Sequence, residues 1–122
     1  MRTIKFRGSD SNGKWHYGDL VHSAQGEFVR IHDYGTNGFY KWFSDVVPES
    51  IGQFTGLHDK NGKEIYEGDI IRHKDMVKPY HVIYDGHQFT PNDGFRSLSY
   101  PKHWEVIGNI HDNPELMKGG KK

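Results

Sequence analysis

The side chains best able to do chemistry in this chain are nine histidines and sixteen Asp or Glu residues; the 122 residues include no cysteine. Three His-Asp pairs stand out: His32-Asp33, His58-Asp59 and His111-Asp112. A metal site needs three or four ligands that converge. Neighbours along a strand point to opposite faces, so adjacent His and Asp there do not share an ion. No two histidines fall at the His-x-x-x-His spacing of a helical site. The histidines therefore read as surface or turn residues, and neither a metal nor a cofactor is expected. The absence of cysteine excludes disulfides, thiolate zinc sites and a Cys nucleophile.

Two carboxylates, Asp19 and Asp69, each follow a glycine in similar surroundings. Converging on one cleft, such a pair would suit glycoside hydrolysis. The Gly-Asp context suits another role better, in which the side chain accepts hydrogen bonds from nearby backbone N–H groups and fixes a turn. The phosphate-cradling Gly-x-x-x-x-Gly-Lys-Ser/Thr loop and the Gly-x-Ser-x-Gly nucleophile elbow are both missing from the sequence. No catalytic residue is assigned.

Aromatic side chains are the stronger lead, at 14% of the chain. In Phe39-Tyr40-Lys41-Trp42-Phe43, strand alternation places Phe39, Lys41 and Phe43 on one face and Tyr40 and Trp42 on the other. Either both faces are buried within a small barrel pair, or one packs inward and the other is free to touch a partner. Tyr40, Lys41 and Trp42, with Arg30 nearby, are the candidate binding residues. Aromatics with cations stack bases, and Tyr and Trp are also enriched in protein interfaces. Tyr100-Pro101-Lys102-His103-Trp104 is a second candidate, expected as a turn before the last strand.

Charge helps to choose between these partners. Sixteen Lys or Arg balance sixteen Asp or Glu, for a formal net charge of zero. A phosphate-neutralising protein usually carries a basic domain or stripe. Protein binding or self-association therefore leads, a homo-oligomer being one form it would take. Nucleic acid is the alternative and predicts that Arg2, Arg7, Arg30 and Lys41, or an equivalent set from the second half, gather on one surface.

The elements that must position these residues are strands. Val, Ile, Phe, Tyr and Trp total 33 residues, against five Ala and Leu together, and the first group favours strands. The spacing predicts strands at 3–7, 18–22, 27–32, 39–43, 50–55, 69–73, 80–84, 95–99 and 104–110. Asn12-Gly13 and Asn61-Gly62 mark turns, and Asp85-Gly86 marks a hairpin into Gln88-Phe89-Thr90. A short helix is expected after Asn113 as cap and Pro114 as first helical residue. No apolar run approaches the ~20 residues of a membrane span, and the start lacks a signal-peptide stretch, so an intracellular, cytoplasmic location is expected.

The chain also echoes itself. Phe6 to His22 and Phe54 to His73 share Phe, Gly, Asp, Asn, Gly, Lys, Tyr, Gly and Asp in order, then two aliphatics. Glu49-Ser50-Ile51-Gly52-Gln53-Phe54 parallels Glu105-Val106-Ile107-Gly108-Asn109-Ile110. The pattern predicts one compact domain over 1–122 made of two copies, 1–57 and 58–122. The expected fold is all-β, with paired SH3-like barrels that share or pack strands.

Residues 49–71, from Glu49-Ser50-Ile51-Gly52-Gln53-Phe54-Thr55-Gly56 through Tyr66-Glu67-Gly68-Asp69-Ile70-Ile71, resemble the signature of the YopX family. Ile4-Lys5-Phe6-Arg7 and Val106 to Leu116 are similar to that family's ends. The resemblance implies a small β-rich protein encoded by a bacteriophage or prophage. It carries no assigned catalytic or binding residue. The expected function is accordingly a phage accessory protein that binds protein or itself without catalysis. Nucleic-acid binding is the alternative, and a hydrolase built on Asp19, Asp69 or a histidine is the second alternative.

Overall fold

The computed structural model describes residues 3–34, 40–92, 98 and 100–118. It divides into two units, Met1–Phe54 and Thr55–Lys122. Both are built from antiparallel strands, with one four-residue helix among the described residues.

The first unit contains β1 (Phe6–Ser9), β2 (Trp15–His22), β3 (Val29–Tyr34), β4 (Tyr40–Asp45) and the start of β5 (Gly52–His58), in the spatial order β4-β3-β2-β1-β5. Asp10 shapes the β1–β2 turn. Its Oδ1 accepts from the N–H of Asn12 at 2.9 Å and of Lys14 at 3.0 Å, and Gly13 takes φ +85°. A single 3₁₀ turn, Pro48–Ser50, leads into β5. Ser50 anchors it by accepting from Ser9 N at 2.8 Å and donating to Val47 O at 2.6 Å. Ile31, Val46 and Phe54 supply the buried apolar side chains of this unit. Gly8 is needed beside them, because a Cβ there would sit 2.9 Å from Val46 Cγ2.

The second unit receives the end of β5, with β6 (Glu64–Tyr66) beside it. Its own sheet has the order β10-β7-β8-β9, from β7 (Asp69–His73), β8 (Tyr80–Tyr84), β9 (Phe89–Pro91) and β10 (Trp104–Asn109). Ile65, Ile71, Tyr80, Val82, Leu98, Trp104 and Val106 form its core, with Leu57, Met76 and Phe89 packed against them. Asp59 repeats the role of Asp10, its Oδ1 accepting from Asn61 N at 2.8 Å and Lys63 N at 2.9 Å. Gly62 takes φ +82°.

The expected all-β class and most of the strands are present. Strands 69–73 and 80–84 fall where the sequence places them. The Asp85-Gly86 hairpin joins β8 to β9, with Asp85 Oδ1 accepting from His87 N and Gln88 N. The strand expected at 95–99 lies outside the described residues except at Leu98. Three features differ. Neither sheet closes into an SH3-like barrel, since closure requires the two end strands of a sheet to pair and the described strands form open orders. β6 was not expected. The helix, α1 (Glu115–Lys118), follows Asn113 and Pro114, yet the Asn113 side chain does not cap it. Its Oδ1 turns back to accept from Asn109 N at 3.2 Å.

Candidate functional site

The register of the first unit sets out its most exposed aromatic face. β3 pairs with β4 at Arg30↔Asp45 and His32↔Phe43, and with β2 at Val21↔Arg30 and Asp19↔His32. Opposed residues share a face, so Arg30, His32, Phe43 and Asp45 stand together. Phe43 is 58% exposed. Its ring stacks on His32 at 5.2 Å, and the Arg30 guanidinium lies 5.2 Å from its centroid. The same guanidinium lies 4.1 Å from the Phe28 ring, and Arg30 Nε donates to Asp45 Oδ1 at 2.6 Å.

Of the candidate residues, Arg30 belongs to this face. Tyr40, Lys41 and Trp42 lie on β4, but their side chains fall outside the described residues. The strict alternation expected through Lys41 is broken in the ladder. Asp33 pairs with Trp42 and Tyr34 with Tyr40, so Lys41 has no opposite number. Two members that sequence reasoning missed as binding residues are His32 and Phe28. His32 meets Phe43 only through cross-strand register, which a one-dimensional pattern does not fix, whereas Phe28 lies two residues before Arg30 and shares its face by simple alternation. Of the cationic set predicted for the first half, Arg7 is 6% exposed, with its guanidinium 4.8 Å from the Trp15 ring. Arg2 lies outside the described residues.

Of the two acid–base candidates, Asp69 acts as a structural acceptor. Asp69 is 2% exposed, and its Oδ2 accepts from Tyr66 N at 2.7 Å. Asp19 is half-buried on β2, in the other unit. Three other carboxyls, those of Asp10, Asp59 and Asp85, are held below their usual range. For Asp10 the hydrogen bond from His16 is the main cause, followed by the Lys14 N–H. For Asp59, burial pushes upward but is outweighed by N–H donors from Val106, Lys63 and Asn61. For Asp85 the Gln88 and His87 N–H groups are responsible. A general acid at neutral pH needs the opposite shift. Such carboxylates stay ionised and hold turns.

His16 departs from the expectation that histidines lie on the surface or in turns. It is 6% exposed. Its Nε2 lies 3.0 Å from Asp10 Oδ2 and its Nδ1 4.0 Å from Asp33 Oδ2. Burial of an imidazole is tolerated where charged acceptors face its N–H groups. Neither link to His16 is visible in the linear sequence, since the β1–β2 turn brings Asp10 there and β2–β3 pairing brings Asp33. His81 is also half-buried, and burial lowers its basicity. Among the described residues, no three His, Asp or Glu side chains are grouped to hold a metal ion.

The second sequence candidate forms a continuous aromatic row in the second unit. Pro101–His103 is a 3₁₀ turn leading into β10. Tyr100, 72% exposed, lies stacked against His103 at 5.6 Å. The His103 ring meets His73 edge-on at 5.6 Å, and His73 meets Trp104 at 5.0 Å.

Comparison with known proteins gives the chain its place. No curated protein matches it. The chain is similar to a protein of known crystal structure, EF1440 from Enterococcus faecalis, at 26% identity and a TM-score of 0.67. That match covers 96% of this chain and 99% of the other. The family model for YopX protein matches residues 5–118. The match takes in both turns built by Asp10 and Asp59 and every described strand, and by it the chain belongs to the YopX family.

Proposed function

We propose that this protein is a non-catalytic protein-binding module, an accessory protein of phage or prophage origin acting in the bacterial cytoplasm, and that Phe43 is the centre of its contact surface. The supporting observation is a single one. A phenylalanine more than half exposed is flanked by Arg30 and His32. Aromatic and arginine side chains dominate the energy of protein interfaces. Arg30 is already paired with Asp45, so the face offers balanced charge and suits a protein surface better than a phosphate backbone. A second copy of this chain is one such surface, because a patch bearing both signs is self-complementary about a two-fold axis.

Capture from bacterial lysate with nuclease present, using the wild type and Phe43→Ala, tests this. The wild type is expected to retain a protein partner, or a second copy of itself, that Phe43→Ala loses while melting at the same temperature. Equal retention by both contradicts the proposal.

The two halves are further read as copies of one ancestral unit. The support is that Asp10-Ser11-Asn12-Gly13-Lys14 and Asp59-Lys60-Asn61-Gly62-Lys63 make the same bonds. In each, the Asp N donates to the Lys O and the Gly N to the Asp O. A crystallographic superposition of residues 6–22 on 54–73 in which the flanking strands diverge in direction would contradict common origin.

A further inference from the structure

We propose that the second unit carries a separate site for single-stranded nucleic acid, centred on Tyr100 and the end of β7. Tyr100 presents an aromatic ring that is 72% exposed, backed by the stacked His103 ring. Base stacking on exposed aromatic rings is the sequence-tolerant element of single-strand binding.

The second requirement is positive charge beside the ring. Lys74 N donates to His103 O at 3.0 Å, so the segment after β7 and the Pro101–His103 turn are held side by side. Lys74 and Lys102 are exposed on these joined segments, whereas Arg72 pairs with Glu105 on the opposite face of the sheet from His73. Lys78 is also exposed, with its Nζ 5.7 Å from the Tyr80 ring. Two carboxylates oppose these cations. Glu105 is engaged by Lys60 at 4.0 Å and Arg72 at 3.9 Å. Asp75 is exposed, on the turn where its N–H donates to His73 Nδ1 at 3.1 Å. Among the described residues beside this turn, Lys74, Lys78 and Lys102 are exposed against one exposed acid, Asp75, although the whole chain is neutral.

A single strand fits this arrangement better than a duplex. In a duplex the π-faces are covered by neighbouring bases, so Tyr100 would find no surface to stack on, whereas an unpaired strand offers both bases and phosphates.

Fluorescence anisotropy with a labelled oligothymidine of about 20 nucleotides, beside a duplex of equal length, tests the proposal. Binding of the single strand is expected to exceed that of the duplex. It should weaken about 10–20-fold between roughly 50 and 200 mM salt, as for about three phosphate contacts. Tyr100→Ala should lower affinity about tenfold and Tyr100→Phe should restore it. Lys74→Glu combined with Lys102→Glu should abolish binding at moderate salt. Circular dichroism and melting of each variant establish that it folds. Phe43→Ala should bind the oligonucleotide like wild type, which separates this site from the protein-binding face. Failure to bind at low salt, preference for duplex, or equal binding by Tyr100→Ala overturns the proposal.

Discussion

Asp59 accepts a hydrogen bond from the backbone N–H of Val106 at 2.9 Å, across 47 residues of sequence. One oxygen of this carboxylate closes the turn it belongs to, and the other fastens that turn to β10. The Lys60 N–H bond to Trp104 O at 3.0 Å secures the same junction. Asp59 is 3% exposed. Asp59→Ala should cost about 3 kcal/mol in urea unfolding, since it strands the buried Val106 N–H and removes the acceptor of the Asn61 and Lys63 N–H groups. Asp10 builds the same turn without a donor from a distant strand, and Asp10→Ala should cost clearly less. Equal losses would show that the Val106 bond is unimportant.

Two glycines with positive φ should respond differently to substitution. At Gly18 an added Cβ would lie 2.1 Å from His32 O, a backbone atom that cannot move aside without breaking β2–β3 pairing. Gly18→Ala should therefore cost about 3 kcal/mol or more. At Gly13, φ +85°, no other atom lies within 4 Å of the new Cβ. Gly13→Ala should cost only the backbone preference, about 1 kcal/mol. Thermal melting of the two variants would contradict this if Gly13→Ala were the weaker.

The turns were legible in the sequence because their chemistry is local. Asn12-Gly13, Asn61-Gly62 and Asp85-Gly86 each put positive φ at a glycine and a short acceptor before it. The limits of β7 and β8 were legible for a related reason, since Gly68 precedes one strand and Pro79 the other. What escaped depends on register. His16 looks like any polar strand residue until β2 and β3 pair, and Arg30 meets Phe43 only through the β3–β4 ladder. β6 is three residues long, too short to show a period. The Asn113 side chain had two backbone targets available, and the bulge between Val106 and Gly108 presents Asn109 N as one of them.

Asp10 should report on its contact with His16 in titration. Asp10 is held below its ordinary value of 3.8, chiefly by His16. In His16→Leu, carbon-detected NMR of the Asp10 carboxyl should show its midpoint moving up toward 3.8 while staying below it, because the Lys14 and Asn12 N–H donors remain. An unmoved midpoint would remove His16 as the cause.

Stability should fall with acidity in two steps. Burial lowers the His81 pKa from its ordinary 6.5, so the folded chain resists a proton that the unfolded chain accepts. That contribution is complete above pH 6.5 and is lost as pH falls from 6.5 toward the folded value. The lowered Asp59 pKa acts in the same direction further down, complete above 3.8 and lost below it. Urea midpoints across pH should show His81→Gln flattening the upper step alone. A variant profile parallel to wild type near pH 6 would contradict the assignment.

The central claim is that the face around Phe43 touches another protein, and contact can be recorded directly at that position. A photo-crosslinking benzoyl-phenylalanine placed at position 43, and in a control at exposed Tyr84 of the second unit, can be irradiated in bacterial cells. The account predicts a discrete protein adduct, or a covalent dimer, from position 43 and none of the same mass from position 84. No adduct at position 43, or the same adducts from both positions, would contradict it.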